Sequence, residues 1–179
     1  IMIEPQPECL KQLNKLYSEN KFVTIVPMGL GKSQQKMEMS INSKQPVIST
    51  LAEHWKTGRF SDSKWDKKIT VNITTLDELI KKFGNPKYIK IDVEGFEHEV
   101  ILGLTKKSGI ISFEFTSEFI EDAFKSVDYL ISLGYLDFNY SLGERRKFFT
   151  QWTTANSIKE SIKSNIKKDN LLWGDLYCK

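Results

Sequence analysis

The sequence predicts an α/β fold with a mostly parallel sheet, and three observations carry that prediction. First, short apolar runs alternate with helical stripes from the beginning of the chain. Ile1-Met-Ile3 precedes Leu10, Leu13, Leu16 and Tyr17, and Phe22-Val-Thr-Ile-Val-Pro27 follows. Second, Tyr88, Ile89, Ile91 and Val93 form a run apolar enough for a strand buried on both faces, as parallel strands are. Third, that run ends in an acidic turn, Asp92, Glu94, Gly95 and Glu97, and Phe96, Val100, Ile101 and Leu104 then share one helix face. Carboxylates are thereby placed at the carboxyl end of a strand, where ligands sit in open α/β sheets.

A length of 179 residues suits one domain with a single core. A net charge of +3 is too small to predict a nucleic-acid or membrane partner. Cys9 and Cys178 lie near opposite ends in no metal spacing, which reads as a reduced, cytoplasmic protein. No apolar run approaches the ~18 residues of a membrane helix, and no signal-peptide pattern stands at the start. Because Ile1 rather than a methionine opens the chain, something upstream is expected to be removed or to lie outside it.

Taken in order, Ile1 to Glu4 reads as a strand end carrying a carboxylate. Pro5 and Pro7 suit the first turn of the helix that follows. Residues 22–27 read as a second buried strand, closed by Gly29 and Gly31. An acid on a strand end that opens a helix suits ribose hydroxyls, although for Glu4 alone a helix-dipole role is the plainer reading. Met28 to Gly31 would form a loop against which an adenine ring could lie. Residues 32–68 are polar and irregular, and read as an insertion covering the substrate side. His54 and Trp55 are its candidates for contacts, with simple packing an equal alternative.

Ile69 to Ile73 alternates like a strand. Thr74-Thr-Leu-Asp77 resembles a capping box, and Leu76, Leu79, Ile80 and Phe83 give the buried helix face up to Gly84. Ile110 to Phe115 is the strand after the acidic turn. Glu114, costly to bury alone, either joins the site of Asp92 or meets a structural partner. Phe119, Ala123, Phe124, Val127, Leu130 and Ile131 make the strongest helical stripe. Tyr135–Tyr140 and Phe148–Trp152, joined at Leu142-Gly-Glu144, predict a hairpin and so an antiparallel edge. Ile158, Ile162 and Ile166 mark a lysine-rich surface helix, and Leu171 to Tyr177 a closing segment.

Thr75-Leu-Asp-Glu-Leu79 and Ile89-Lys-Ile-Asp-Val-Glu-Gly-Phe-Glu97 resemble the signature of FkbM-type methyltransferases. Glu4-Pro-Gln-Pro7 and Trp173-Gly-Asp-Leu-Tyr177 resemble the end of that family's second strand and its closing segment. The resemblance implies a Rossmann-like class I sheet, mostly parallel with one antiparallel strand, and S-adenosyl-L-methionine as cofactor. It implies Glu4 on the cofactor ribose and Asp92 and Glu94 near the sulfonium end; Pro5, Met28, Gly29 and Asp92 are expected beside Glu4 on the cofactor, and Asp92, then Glu94, as the catalytic groups. Glu94, Glu114 and His54 are expected on the acceptor, a hydroxyl of a sugar or other small natural product.

The family's glycine-rich loop would lie ahead of Glu4. Without the strand before that loop, two strand edges stand open and invite another chain, which keeps a homodimer in view. The whole chain is expected to be one methyltransferase domain, incomplete at its N-terminus. Metal-free transfer ranks above metal-assisted transfer, so no metal ligand is assigned. If Asp92, Glu94 and Glu114 converged, however, they could hold a divalent cation. The alternatives are a non-catalytic nucleotide-binding or scaffold protein and, further off, a nicotinamide-dependent oxidoreductase.

Overall fold

The computed structural model describes residues 1–145 and 147–179. Its chain alternates strands and helices as the sequence pattern predicts. Strand β1 (Met2–Ile3) leads into helix α1 (Pro7–Tyr17) and returns as β2 (Ile25–Val26), parallel to β1. The second strand is shorter than predicted: Phe22 is exposed, and Asn20 takes the backbone N–H groups of Phe22 and Val23 into a turn. Gly29 and Leu30 are not loop but strand β3, parallel to β5 (Lys67–Thr74). The region read as irregular contains β4 (Gln35–Ile41), seven residues antiparallel to β5, before three short 3-10 turns.

Helix α2 (Leu76–Phe83) starts one residue later than the predicted box. Thr75 is its cap and accepts the backbone N–H of Glu78, while the Asp77 carboxylate accepts from Thr105. Gly84, at φ 90°, stops it. Strand β6 (Tyr88–Ile91) leads through the acidic turn to helix α3 (Glu97–Ile101), whose stripe Phe96, Val100, Ile101 and Leu104 is buried. Next come β7 (Ile110–Thr116) and helix α4 (Ile120–Ser132), then β8 (Phe138–Leu142), helix α5 (Ala155–Ile166) and β9 (Trp173–Cys178).

By hydrogen bonding the strands form three sheets, ordered β1-β2, β3-β5-β4 and β6-β7-β9-β8. In the last, β6 and β7 run parallel and β9 lies antiparallel between β7 and β8. The closing segment thus supplies the antiparallel strand there, and β4 supplies another in the middle sheet. The predicted hairpin partner at 148–152 does not form a strand. It follows β8 through Phe149 N–H to Tyr140 O, the Phe138–Thr153 bridge and the Asn139 amide, which donates to Thr150 O. Its rings pack instead: Phe149 stacks on Tyr140 at 4.8 Å, and Phe148 meets Tyr177 at 5.0 Å.

One large cluster of buried side chains, from Leu30 to Cys178, packs α3, α4 and α5 against the sheet of β6 to β9. β6 is not buried on both faces, since Tyr88 is half exposed and Lys90 is exposed. Among the described residues no strand pairs with the outer edges of β1 and β6. An apolar slot of about 180 Å³ lies there, lined by Ile1, Ile3, Leu76, Leu79, Tyr88 and Ile89. No helix among the described residues is long and apolar enough to cross a membrane.

Candidate active site

The site is built on the turn between β6 and α3. Asp92 follows the last residue of β6 and is half exposed. Glu94 stands at φ +56°, a left-handed conformation that an acidic side chain rarely adopts. Local bonds hold it there. The Thr50 hydroxyl donates to the Glu94 carbonyl at 2.6 Å, and the Glu97 carboxylate accepts the backbone N–H groups of Val93 and Gly95. Gly95, at φ +88°, has no room for a side chain, because an added Cβ would meet the Trp55 ring at 2.6 Å. Turn and insertion are therefore interlocked through Thr50 and Trp55.

β7 brings Glu114 alongside. Carboxylate oxygens of Asp92, Glu94 and Glu114 lie within 4.8 Å of one another. Glu114 therefore joins the site of Asp92, one of the two outcomes its sequence position allowed. Burial, and then the charges of Asp92 and Glu97, push Glu94 up to about 8, while the Trp55 indole N–H and Lys90 pull the other way. Burial and the charges of Asp92, Glu94 and Glu97 likewise push Glu114 up to about 8. Glu97, raised to about 7 mainly by burial, shapes the turn through its backbone bonds. Lys90 bonds to Asp175 and reaches Asp92 at 3.4 Å. Burial depresses its ammonium, but these two acids more than compensate and leave it raised.

A cleft of about 570 Å³ opens beside the turn, a size typical of small-molecule sites. Glu4, Pro5, Met28, Gly29, Asp92 and Glu94 all line it, with Leu30 and Leu51 among its apolar walls. One Glu4 oxygen holds the Gln6 backbone N–H at 2.7 Å. Burial raises the Glu4 carboxyl and that bond partly offsets it. Glu114 and His54 line a separate, much smaller cavity of about 20 Å³ with Trp55, Glu97 and Thr116. His54 is exposed, packs edge-on against Phe119 and stands 3.9 Å from Asp122, away from the large cleft. Trp55 is a core residue.

Sequence reasoning missed Thr50, Lys90 and Asp175. Thr50 acts across 44 residues and had no signal. Lys90 alternates with Ile89 and Ile91 and so was legible as an outward-facing strand residue. Chemically the arrangement can accept a proton, bind hydroxyls and attract a cation.

The sequence profile described as Methyltransferase FkbM domain matches residues 1–149. The chain belongs to this FkbM methyltransferase family. No curated protein matches it. The solved structure of Methyltransferase FkbM from Methylobacillus flagellatus KT is similar across 99% of the chain, at 16% identity and a TM-score of 0.50. At that identity the likeness speaks for the fold alone: a mixed α/β fold with parallel strands. The present chain spans 36% of that protein's length. Within the matched residues, Ile89 to Glu97 forms most of β6 and the acidic turn that leads into α3.

Proposed function

We propose that this FkbM-family chain transfers a methyl group from S-adenosyl-L-methionine to a hydroxyl of a small molecule, a sugar or another natural product. The observation that carries the reading is convergence. Glu4, Pro5, Met28, Gly29 and Asp92 come from three distant parts of the sequence and line one cleft, with the acidic turn at its side. The cleft fits the cofactor chemically: the half-buried Glu4 carboxylate keeps one oxygen for ribose hydroxyls, and Met28, Leu30 and Leu51 offer apolar surface for a base.

The cofactor, when bound, supplies an electrophilic methyl group. The chain's own residues do the rest. Glu4 orients the ribose. Asp92, half exposed at the cleft wall, receives the acceptor hydroxyl and takes its proton as general base, a role worth ~10²–10⁴-fold. Glu94 is the second acid in reach. The insertion, fastened over the turn by Thr50 and Trp55, keeps water out and holds the acceptor in line, where alignment contributes about 7–11 kcal/mol. Glu114 and His54, on the smaller cavity, would meet an acceptor that extends past the turn.

The chain is read as a single domain in which residues 32–68 cover the substrate side. A strand laid between the open edges of β1 and β6, over the apolar slot, would join two of the three sheets into a larger Rossmann-like sheet. Transfer of a labelled methyl group to a panel of small hydroxylated acceptors tests the reading. Asp92→Ala should abolish transfer while leaving the melting temperature unchanged. Full activity in that variant removes Asp92 from the mechanism.

A further inference from the structure

Asp92, Glu94 and Glu114 present three carboxylate oxygens within 4.8 Å of one another, two from the β6–α3 turn and one from β7. Such acids either hold protons, as the raised Glu94 and Glu114 carboxyls do, or share a cation that takes the protons' place. Hard cations take oxygen ligands at about 2.0–2.6 Å, so two ligands across such an ion stand about 4–5 Å apart. Three oxygens all within 4.8 Å of one another can therefore reach one such ion. The nearest ammonium does not fill the gap: Lys90 reaches Asp92 only at 3.4 Å and its shorter bond goes to Asp175.

One buried side chain points to a ligand independently of the acids. Thr116, 5% exposed, has a hydroxyl with no hydrogen-bond partner. It lies two residues beyond Glu114 on β7, so both project from the same face of the strand and line the same small cavity. Trp55, 3% exposed, is buried beside the turn, and its indole N–H is the donor that pulls the Glu94 carboxyl down. A hydroxyl oxygen beside one carboxylate and a donor beside another are the partners that orient a metal-bound water and a ligating carboxylate. The left-handed backbone of Glu94, pinned by Thr50, fixes that carboxylate toward the other two.

We infer that Asp92, Glu94 and Glu114 bind one hard divalent cation, of the magnesium, manganese or calcium class, with Thr116 and Trp55 holding its water and its carboxylate shell. The convergence that the sequence set as the condition for such an ion is met. Its purpose, to carry the acceptor hydroxyl beside the cofactor cleft, rests on the methyl-transfer reading. The binding itself does not.

The test is titration of the chain with Mn²⁺ alone, with free ion followed by its electron paramagnetic resonance signal and no cofactor or acceptor present. The expected result is saturable binding of one Mn²⁺ per chain, displaced by Mg²⁺ or Ca²⁺. Asp92→Asn and Glu114→Gln should each weaken it at least about tenfold, and Thr116→Val should weaken it by a smaller factor. Asp92 is half exposed, so that variant keeps its fold, which circular dichroism verifies. Absence of saturable binding, or equal binding by Asp92→Asn, overturns the inference. A failure to bind cofactor, measured separately, would count against the methyl-transfer reading and leave the cation result standing.

Discussion

Glu114 shows at the scale of one residue how a site's chemistry registers in stability. Its folded-state carboxyl titrates near 8, against an ordinary value of 4.5. Between those values the native protein holds a proton that the unfolded chain releases. The contribution to stability is therefore full below about pH 4.5 and is lost as the pH rises through about 8. Glu94 acts in the same direction. We expect the melting temperature, measured in chelator to exclude cations, to fall between pH 5.5 and pH 8.5. Glu114→Gln should flatten that dependence. A wild-type melting temperature that rises over this range would contradict the burial assigned to the acids. The placement of Glu114 at the site was half legible in the sequence, because an acid inside an apolar run demands a reason. Which of two reasons applied depended on the partners its strand would meet.

At the scale of elements, the insertion illustrates what pattern reading misses. Gln35–Ile41 read as irregular inside a polar stretch, although Met37, Met39 and Ile41 alternate as in a half-buried strand, and it completes seven register pairs with β5. Pairing supplied by a distant strand overrides weak local propensity. The same holds for the predicted hairpin: β9, thirty residues on, took the ladder of β8, and the nearer segment was left to pack by its rings. Helices α2 and α4 were legible because stripe and stop residue agree. Trp55 is the point where the insertion grips the site. It packs on Phe60 and Phe119 and closes over Gly95. Trp55→Ala should cost about 3–5 kcal/mol in denaturant unfolding and loosen the acidic turn as well. A cost below about 1 kcal/mol would show that the insertion does not depend on this anchor.

Across the whole molecule, the alternation of strand and helix and the family signature were legible. The division into three sheets was not, because strand edges are read from partners and a sequence names no partners. Among the described residues the outer edges of β1 and β6 stay unpaired and face an apolar slot. The central claim spans the same distance, since it joins Glu4 on β1's end to Asp92 on β6's end across one cleft. It is tested most directly by calorimetric titration of S-adenosylhomocysteine into the chain and into Glu4→Ala. The account predicts saturable binding by the chain and binding weaker by about tenfold or more for Glu4→Ala, the loss expected when a charged hydrogen-bond acceptor is removed. No binding by the chain, or unchanged binding by Glu4→Ala, would contradict it and favour a scaffold that keeps the fold without the chemistry.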